Sequence, residues 1–358
     1  MTSQAMDRAS SKARSSHRSY GWTTRKGGDD VNRRDFFEMA TGALVGGVIA
    51  SGMPRVVRVG APAAPPAMDA TAFRAARRYA QTRFGKIAYV ERGKGNAALF
   101  LHGFPLNSFQ WRGALARLSA HRRCVAADFL GTGYTEVAEG QSVAPAAQVA
   151  MLVALLDTLS IPAVDLVAND SGGAVAQLLV TRHPERVRTL LLTNCDTEHD
   201  SPPAALLPVI ELSKAGEFVE RRLAPQLANK EMARSAAGIG GLCYVDPAHP
   251  TDEAIDYYFA PPVRSPRREA WLHAYAIALA PNPLAGIEPL LRRCTVPTRI
   301  VWGTADTIFS AESADYLDRA FGNSHGVRRL PGRKLFWPEE LPDVVAEEAR
   351  APWGDRRR

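Results

Sequence analysis

From residue 82 onward, short and almost wholly apolar runs alternate with stretches of helical spacing. "AALFLHG", "VDLVAND", "VRTLLLTNC" and "TRIVWG" are of strand length and apolar nearly throughout, so both faces of the strands they form must be covered. Between them, "SFQWRGALARLSAHRR", "APAAQVAMLVALLDTLSI" and "SGGAVAQLLVTRHPER" carry helical spacing. "RFGKIAYVERG" reads as a hairpin arm and "CVAADF" as one more strand. This alternation predicts an α/β fold, a mostly parallel doubly wound sheet with helices on either side. The alternation stops between Thr197 and Arg293, where the pattern is helical and broken by Pro and Gly, and resumes with "TRIVWG". The remaining elements are a helix through "AESADYLDRAF", a strand "GVRRLPG" and a last helix "LPDVVAEEARAPW". The predicted organisation is a core from 64–196 and 294–358 with an inserted α-helical cap over 197–293. Such an insertion lies over the carboxyl ends of the strands, where open α/β sheets bind ligands.

The first 63 residues do not join this pattern and read as an address. Arg33 and Arg34 precede two phenylalanines, and an uncharged run from Met39 to Met53 follows, ahead of "APA" at Ala61–Ala63. That run has 15 residues, against roughly 20 for a membrane-spanning helix. Twin arginines, a short apolar run and small residues at a cleavage site resemble a twin-arginine export signal. The partner implied is the twin-arginine export machinery and the destination is the periplasm or beyond, with no stable membrane span after cleavage.

Charge and cysteine content narrow the classes further. The net charge is +7, but residues 1–63 hold ten Lys/Arg against five Asp/Glu, leaving only +2 for the rest. Nucleic-acid binding loses its main support. Cys124, Cys195, Cys243 and Cys294 are far apart, without CxxC or metal-type spacing, and read as buried free thiols. No nucleotide-binding GxGxxG is present, so neither a cofactor nor a metal is expected.

"VANDSGGAVAQ", residues Val167 to Gln177, has the outline of a strand, a tight turn and a helix, with Asp170 at the apex. Ala168 and Gly172 bracket it as the small residues such a turn requires, which is nucleophile-elbow geometry with Asp in place of Ser. Two other readings stay open: Asp170 as a simple helix N-cap, and a shifted frame with Ser171 as an esterase nucleophile. With "HGFP" (His102–Pro105), "DFLGTGYT" (Asp128–Thr135) and "WGTAD" (Trp302–Asp306) in this order, the chain resembles α/β-hydrolases of the epoxide hydrolase and haloalkane dehalogenase group over residues 82–350. The resemblance implies the α/β-hydrolase fold, Asp170 as nucleophile and Asp306 as supporting acid. It also implies an oxyanion loop holding His102 and Phe104, with the backbone N–H groups of Phe104 and Ser171 as its donors.

The chain departs from that family in two places. The family's general base is a histidine after the last strand; here the frame survives as "LPGRKLFWPEELPD", with Leu335 about where the histidine belongs and no histidine after His325. "NCDTEHD" lies at a carboxyl strand end, so His199 or Asp196 could approach the pocket, and His199 is the candidate base. Dehalogenases of the group commonly place Trp after the nucleophile to hold halide, where this chain has Ser171. The lid tyrosines Tyr244, Tyr257, Tyr258 and Tyr275 are candidates to protonate an epoxide, although tyrosines in an apolar lid are usually core. The expected function is cofactor-independent hydrolysis of a small organic molecule; the rival is a catalytically idle binding protein of the same fold.

The leader generates a first prediction. Replacing Arg33 and Arg34 by Lys is expected to leave the protein uncleaved in the cytoplasm, as read by cell fractionation; normal processing of the double variant would refute the twin-arginine assignment.

Overall fold

A computed structural model describes residues 66–354, so the leader with its twin arginines lies outside the described residues. The chain enters through a short helix, Ala70–Ala76, into nine strands: β1 (Arg77–Thr82), β2 (Gly85–Arg92), β3 (Ala97–Leu101), β4 (Arg123–Ala127), β5 (Glu136–Val137), β6 (Val164–Asp170), β7 (Val187–Cys195), β8 (Thr298–Gly303) and β9 (Ser324–Leu330). They form one sheet in the order β1-β2-β4-β3-β6-β7-β8-β9, with the short β5 paired to β2. From β4 to β9 the neighbours are parallel, while β2 is antiparallel to β1, β4 and β5. The mostly parallel sheet expected from the alternation is present.

Burial explains why the inner strands read so clearly. Every residue of β3 and of β6 is buried, because helices cover both faces of a parallel sheet. By contrast β1, "RRYAQT", buries only Ala80; an edge strand with one buried position lacks the apolar run, and neither it nor the helix before it stood out in the sequence. The four cysteines are free and buried.

The chain leaves β3 toward β4 on one side and returns to β6 on the other, so β3 lies at the point where the winding direction reverses. The loops that follow β3 and β6 therefore emerge at the same end of the sheet, flanking a crevice. They carry Gly103–Pro105 and Asp170 respectively. Between β7 and β8 the segment from Ala204 to Arg292 is built of helices, several of whose side chains line the cavity over those strand ends. Among the described residues no helix is long and apolar enough to cross a membrane.

A buried polar cluster ties this helical segment to the core. Arg112 is paired with Glu339 and donates to Tyr258 Oη at 3.1 Å, while Tyr244 and Tyr258 donate to Glu339 Oε1 at 2.7 and 2.9 Å. Burial works against the Arg112 charge, and Glu339 more than offsets it, holding the guanidinium above its ordinary range. Tyr257 is likewise occupied, with Arg77. Three of the four lid tyrosines thus serve packing between segments.

Close approach sets the elbow helix, Ser171–Arg182, against its neighbours. A Cβ added at Gly172 would stand 2.7 Å from the carbonyl oxygens of Leu101 and His102, and one at Gly173 would stand 2.2 Å from Cys195 Cβ. Alanine is favoured over glycine inside a helix by about 1 kcal/mol, but a contact that short between atoms fixed to two backbones cannot be relieved by rotation. Gly173→Ala is therefore expected to destabilise by roughly 1–3 kcal/mol, measured as a lower denaturant midpoint; an unchanged or raised midpoint would contradict the packing described.

Candidate active site

At the end of β6 the backbone turns at Asp170 with φ +56° and ψ −135°. This is a left-handed φ that costs a non-glycine residue on the order of 1–3 kcal/mol. Asp170 and Ser160 are the non-glycine residues with positive φ among those described. The apex of the turn is Asp170, and Ser171 is the first residue of the following helix. Asp170 Oδ1 accepts from the Phe104 N–H at 3.2 Å and from the Ser171 N–H. The Ser171 N–H is also the helix's capping donor, so the capping and elbow readings of Asp170 describe one arrangement.

Two polar struts hold the apex. Gln110 accepts from the Gly103 N–H at 2.9 Å and donates to Asn169 Oδ1 at 2.7 Å, joining the loop after β3 to the elbow. Asn169 Nδ2 lies 3.1 Å from the carbonyls of Thr193 and Asn194 and 3.2 Å from that of Leu335. The main chain at Leu335 is thereby tied to the residue before the apex. Its buried side chain lines the cavity.

The cavity over the strand ends has a volume of about 260 Å³. Its walls are largely apolar, with Phe104, Phe218, Phe259, Phe309 and Leu335 prominent, and Asp170, Ser171 and Asp196 at its floor. Burial there pushes the Asp170 carboxyl up to about 7 against the opposing pull of its two backbone donors, with the charge of Asp306 adding to the rise. Burial likewise raises Asp196 to about 7.

The other residues singled out in the sequence are placed differently. Asp306 follows β8, where it accepts from Asn194 Nδ2 at 2.8 Å and from the Ile308 N–H at 2.9 Å; burial raises its carboxyl to about 6. Asn194 also bonds both polar groups of Gly303 and accepts from Trp337 Nε1 at 3.0 Å. Asp306 is thus held by an amide. His102 is fully buried and serves as a brace: Nε2 accepts from the Phe129 N–H at 3.2 Å, and Nδ1 meets the Gly103 carbonyl at 2.9 Å. Burial lowers its pKa, and it does not line the cavity. His199 is exposed, its ring edge-on to Tyr316 with centroids 4.6 Å apart, and it also stands outside the cavity lining. The structure brings Asp170, Phe104 and Ser171 together and leaves His102 and His199 apart from them. It adds Asp196, which the sequence signalled only by its place just beyond an apolar strand. Of the lid tyrosines, Tyr275 reaches the floor, donating to Ser171 Oγ at 3.0 Å while its ring stacks on Phe104.

The raised Asp170 carboxyl has a consequence for stability. Its folded value near 7 stands above the ordinary 3.8, so below pH 4 the group is neutral in both states and costs nothing. As pH rises from about 4 to about 7 the unfolded chain ionises freely in water while the folded state resists holding the buried charge, and stability falls until both states are ionised. Asp170→Asn escapes this loss, which is on the order of 4 kcal/mol. The melting temperature of the variant relative to the parent is expected to rise from pH 5 to pH 8; a difference independent of pH would refute the burial argument.

Comparison with known proteins agrees with the fold. A family model of the alpha/beta hydrolase fold matches residues 97–336. The chain is 28% identical over 284 residues to haloalkane dehalogenase 2 of Mycobacterium tuberculosis, covering 73% of this chain and 89% of that protein. Among solved structures, an alpha/beta hydrolase fold protein from Burkholderia ambifaria superposes with a TM-score of 0.66 at 22% identity, covering 78% of this chain and 97% of that one. The epoxide hydrolase CorEH superposes with a TM-score of 0.64 at 18% identity, covering 78% and 99%.

Proposed function

The chain belongs to the alpha/beta hydrolase fold family, and from that premise we propose that it hydrolyses small, largely apolar organic molecules by attack of Asp170 at a saturated carbon. The reading is carried by the strained apex that presents a buried carboxylate, with Oδ1 on two backbone N–H donors, to an apolar cavity. Oδ2 attacks the carbon, the bond to the leaving group breaks with its electron pair, and an alkyl ester of Asp170 results. Oδ1 becomes the carbonyl oxygen of that ester. When water adds to the carbonyl carbon, the charge that develops on Oδ1 meets the N–H groups of Phe104 and Ser171. Collapse releases the alcohol and restores the carboxylate.

A carboxylate suits this cavity better than a hydroxyl. Serine needs an adjacent base to become nucleophilic, and no histidine is among the residues lining the cavity. The hydroxyl of Ser171 instead accepts from Tyr275, whose own phenol burial drives to a higher pKa. Asp170 requires only ionisation, and a carboxylate stripped of water by apolar walls is a stronger nucleophile than a hydrated one. Dehalogenase-like and epoxide-hydrolase-like substrates both meet this requirement. The Arg33-Arg34 leader supports the further reading that hydrolysis takes place beyond the inner membrane, after twin-arginine export.

Acid-quenched mixtures with a haloalkane or an epoxide are expected to show a mass increment mapping to the peptide that holds Asp170. The increment should be absent in Asp170→Asn, and with the haloalkane its rate of appearance should climb with pH to a plateau, with a midpoint near 7. Hydrolysis of a p-nitrophenyl ester lost in Ser171→Ala but kept in Asp170→Asn would replace this reading with a serine esterase. Neither adduct nor product from a panel of electrophiles would leave a binding protein of the same fold.

A further inference from the structure

We propose that Asp196 is the proton-transfer residue of this cavity, giving its proton to the leaving oxygen as Asp170 is alkylated and taking one from the water that cleaves the ester, and that the substrate class is therefore an epoxide. The inference rests on the Asp170 reading and deepens it.

The placement follows from strand register. Asp170 pairs with Cys195 across β6 and β7, and adjacent strands lie roughly 4.8 Å apart. Asp196 is the next residue after that partner, so both carboxyls issue from the same rim of the sheet. Asp196 is 3% exposed and lines the same cavity. These two are the carboxylates among the cavity-lining residues. Asp196 is held at both ends: Ser201 Oγ donates to Oδ1 at 2.7 Å, and Gln177 Nε2 donates to the main-chain oxygen at 2.8 Å. A fixed, buried carboxyl at the floor of a reaction cavity, not needed to pair any cation, is poised to act on a substrate's protons.

The titratable groups facing Asp196 are Asp170, Asp200, Cys195 and Tyr275. Burial raises both Cys195 and Tyr275, which keeps them neutral. For Asp196 itself, burial is the main cause of its rise to about 7, opposed by the Ser201 hydroxyl and reinforced by Asp170 and Asp200. The charge of an ionised Asp170 raises Asp196 and so favours its keeping a proton. The reactive form has Asp170 ionised and Asp196 protonated.

The protons then balance around one turnover. Asp170 Oδ2 bonds to an epoxide carbon, the ring C–O bond breaks, and the alkoxide takes the Asp196 proton, leaving a neutral ester beside an ionised Asp196. The charge on Asp170 that held Asp196 protonated has gone, so Asp196 is now the base. It accepts a proton from the attacking water; the tetrahedral adduct expels the alkoxide, and the proton of the new carboxylic acid passes to it. The products are a diol, ionised Asp170 and protonated Asp196, the starting state. A halide leaves without a proton, so a haloalkane uses the base half of this cycle alone.

The test compares the full-length protein with Asp196→Asn, using styrene oxide and 1-bromobutane, with adduct followed by intact mass and product by chromatography. In the variant, alkylation by styrene oxide should slow by about 100-fold or more, alkylation by 1-bromobutane should stay within about threefold, and either ester should be lost at least about 100-fold more slowly. Ser201→Ala provides a second readout in a milder variant. Removing a donor to the ionised carboxylate should move the midpoint of the pH profile for ester loss upward, which a merely structural Asp196 would not do. Ester loss as fast in Asp196→Asn as in the parent, or an unmoved midpoint in Ser201→Ala, overturns the assignment while the Asp170 adduct stands. A parent protein that neither turns over nor is alkylated by either electrophile overturns the Asp170 reading, and this inference with it.

Discussion

Holding a carboxylate at a left-handed backbone position inside an apolar cavity is the constraint around which the rest is arranged. Both the φ of +56° and the desolvated charge at Asp170 are unfavourable, and each persists only where its surroundings over-determine it. The surroundings here are unusually restrictive. β6 is buried along its whole length between β3 and β7. Gly172 and Gly173 let the following helix press against Leu101, His102 and Cys195, and Asn169 spends its side chain on Gln110 and three carbonyls. Remove the close approach and the turn relaxes; remove the struts and the carboxylate swings away from its two donors.

The loop after β9 shows how a site frame can persist without an imidazole. Its geometry is set by main-chain and indole contacts that any residue at position 335 would leave intact: the Leu335 carbonyl on Asn169, and Trp337 on Asn194. Asn194 in turn holds Asp306 and Gly303. A leucine there is compatible with the fold because its side chain joins an apolar wall. Asp306, which is not among the cavity-lining residues, is held by the Asn194 amide.

The fold was legible where burial on both faces wrote itself as a continuous apolar run, as in β3, β6 and β7, and illegible where it did not, as in β1 with its single buried alanine and β5 with only two residues. At the site, Asp170 was legible because a sharp strand-turn-helix demands small residues on either side of its apex, while Phe104 and Ser171 came from the family resemblance. The partners of the histidines lie partly on distant segments, which residue type and spacing do not specify. His102 is occupied by Phe129 and Gly103, and His199 turns outward to Tyr316. Asp196 shared the sequence neighbourhood of His199, "NCDTEHD", and only the tertiary structure distinguishes the carboxyl that lines the cavity from the imidazole set against Tyr316.

The same low-polarity wall bears on both halves of the proposed chemistry. Phe104, Phe218 and Leu335 line the cavity beside both carboxyls, whose burial raises the pKa of each, and charges couple more strongly where the dielectric is low. On the proposed mechanism Asp170 acts as the nucleophile while Asp196, raised further by its charge, keeps its proton. Alkylation of the first abolishes its charge and with it the reason for the second to stay protonated. A wetter cavity would ionise both groups together and supply neither a proton for the leaving oxygen nor a change of role between the two steps.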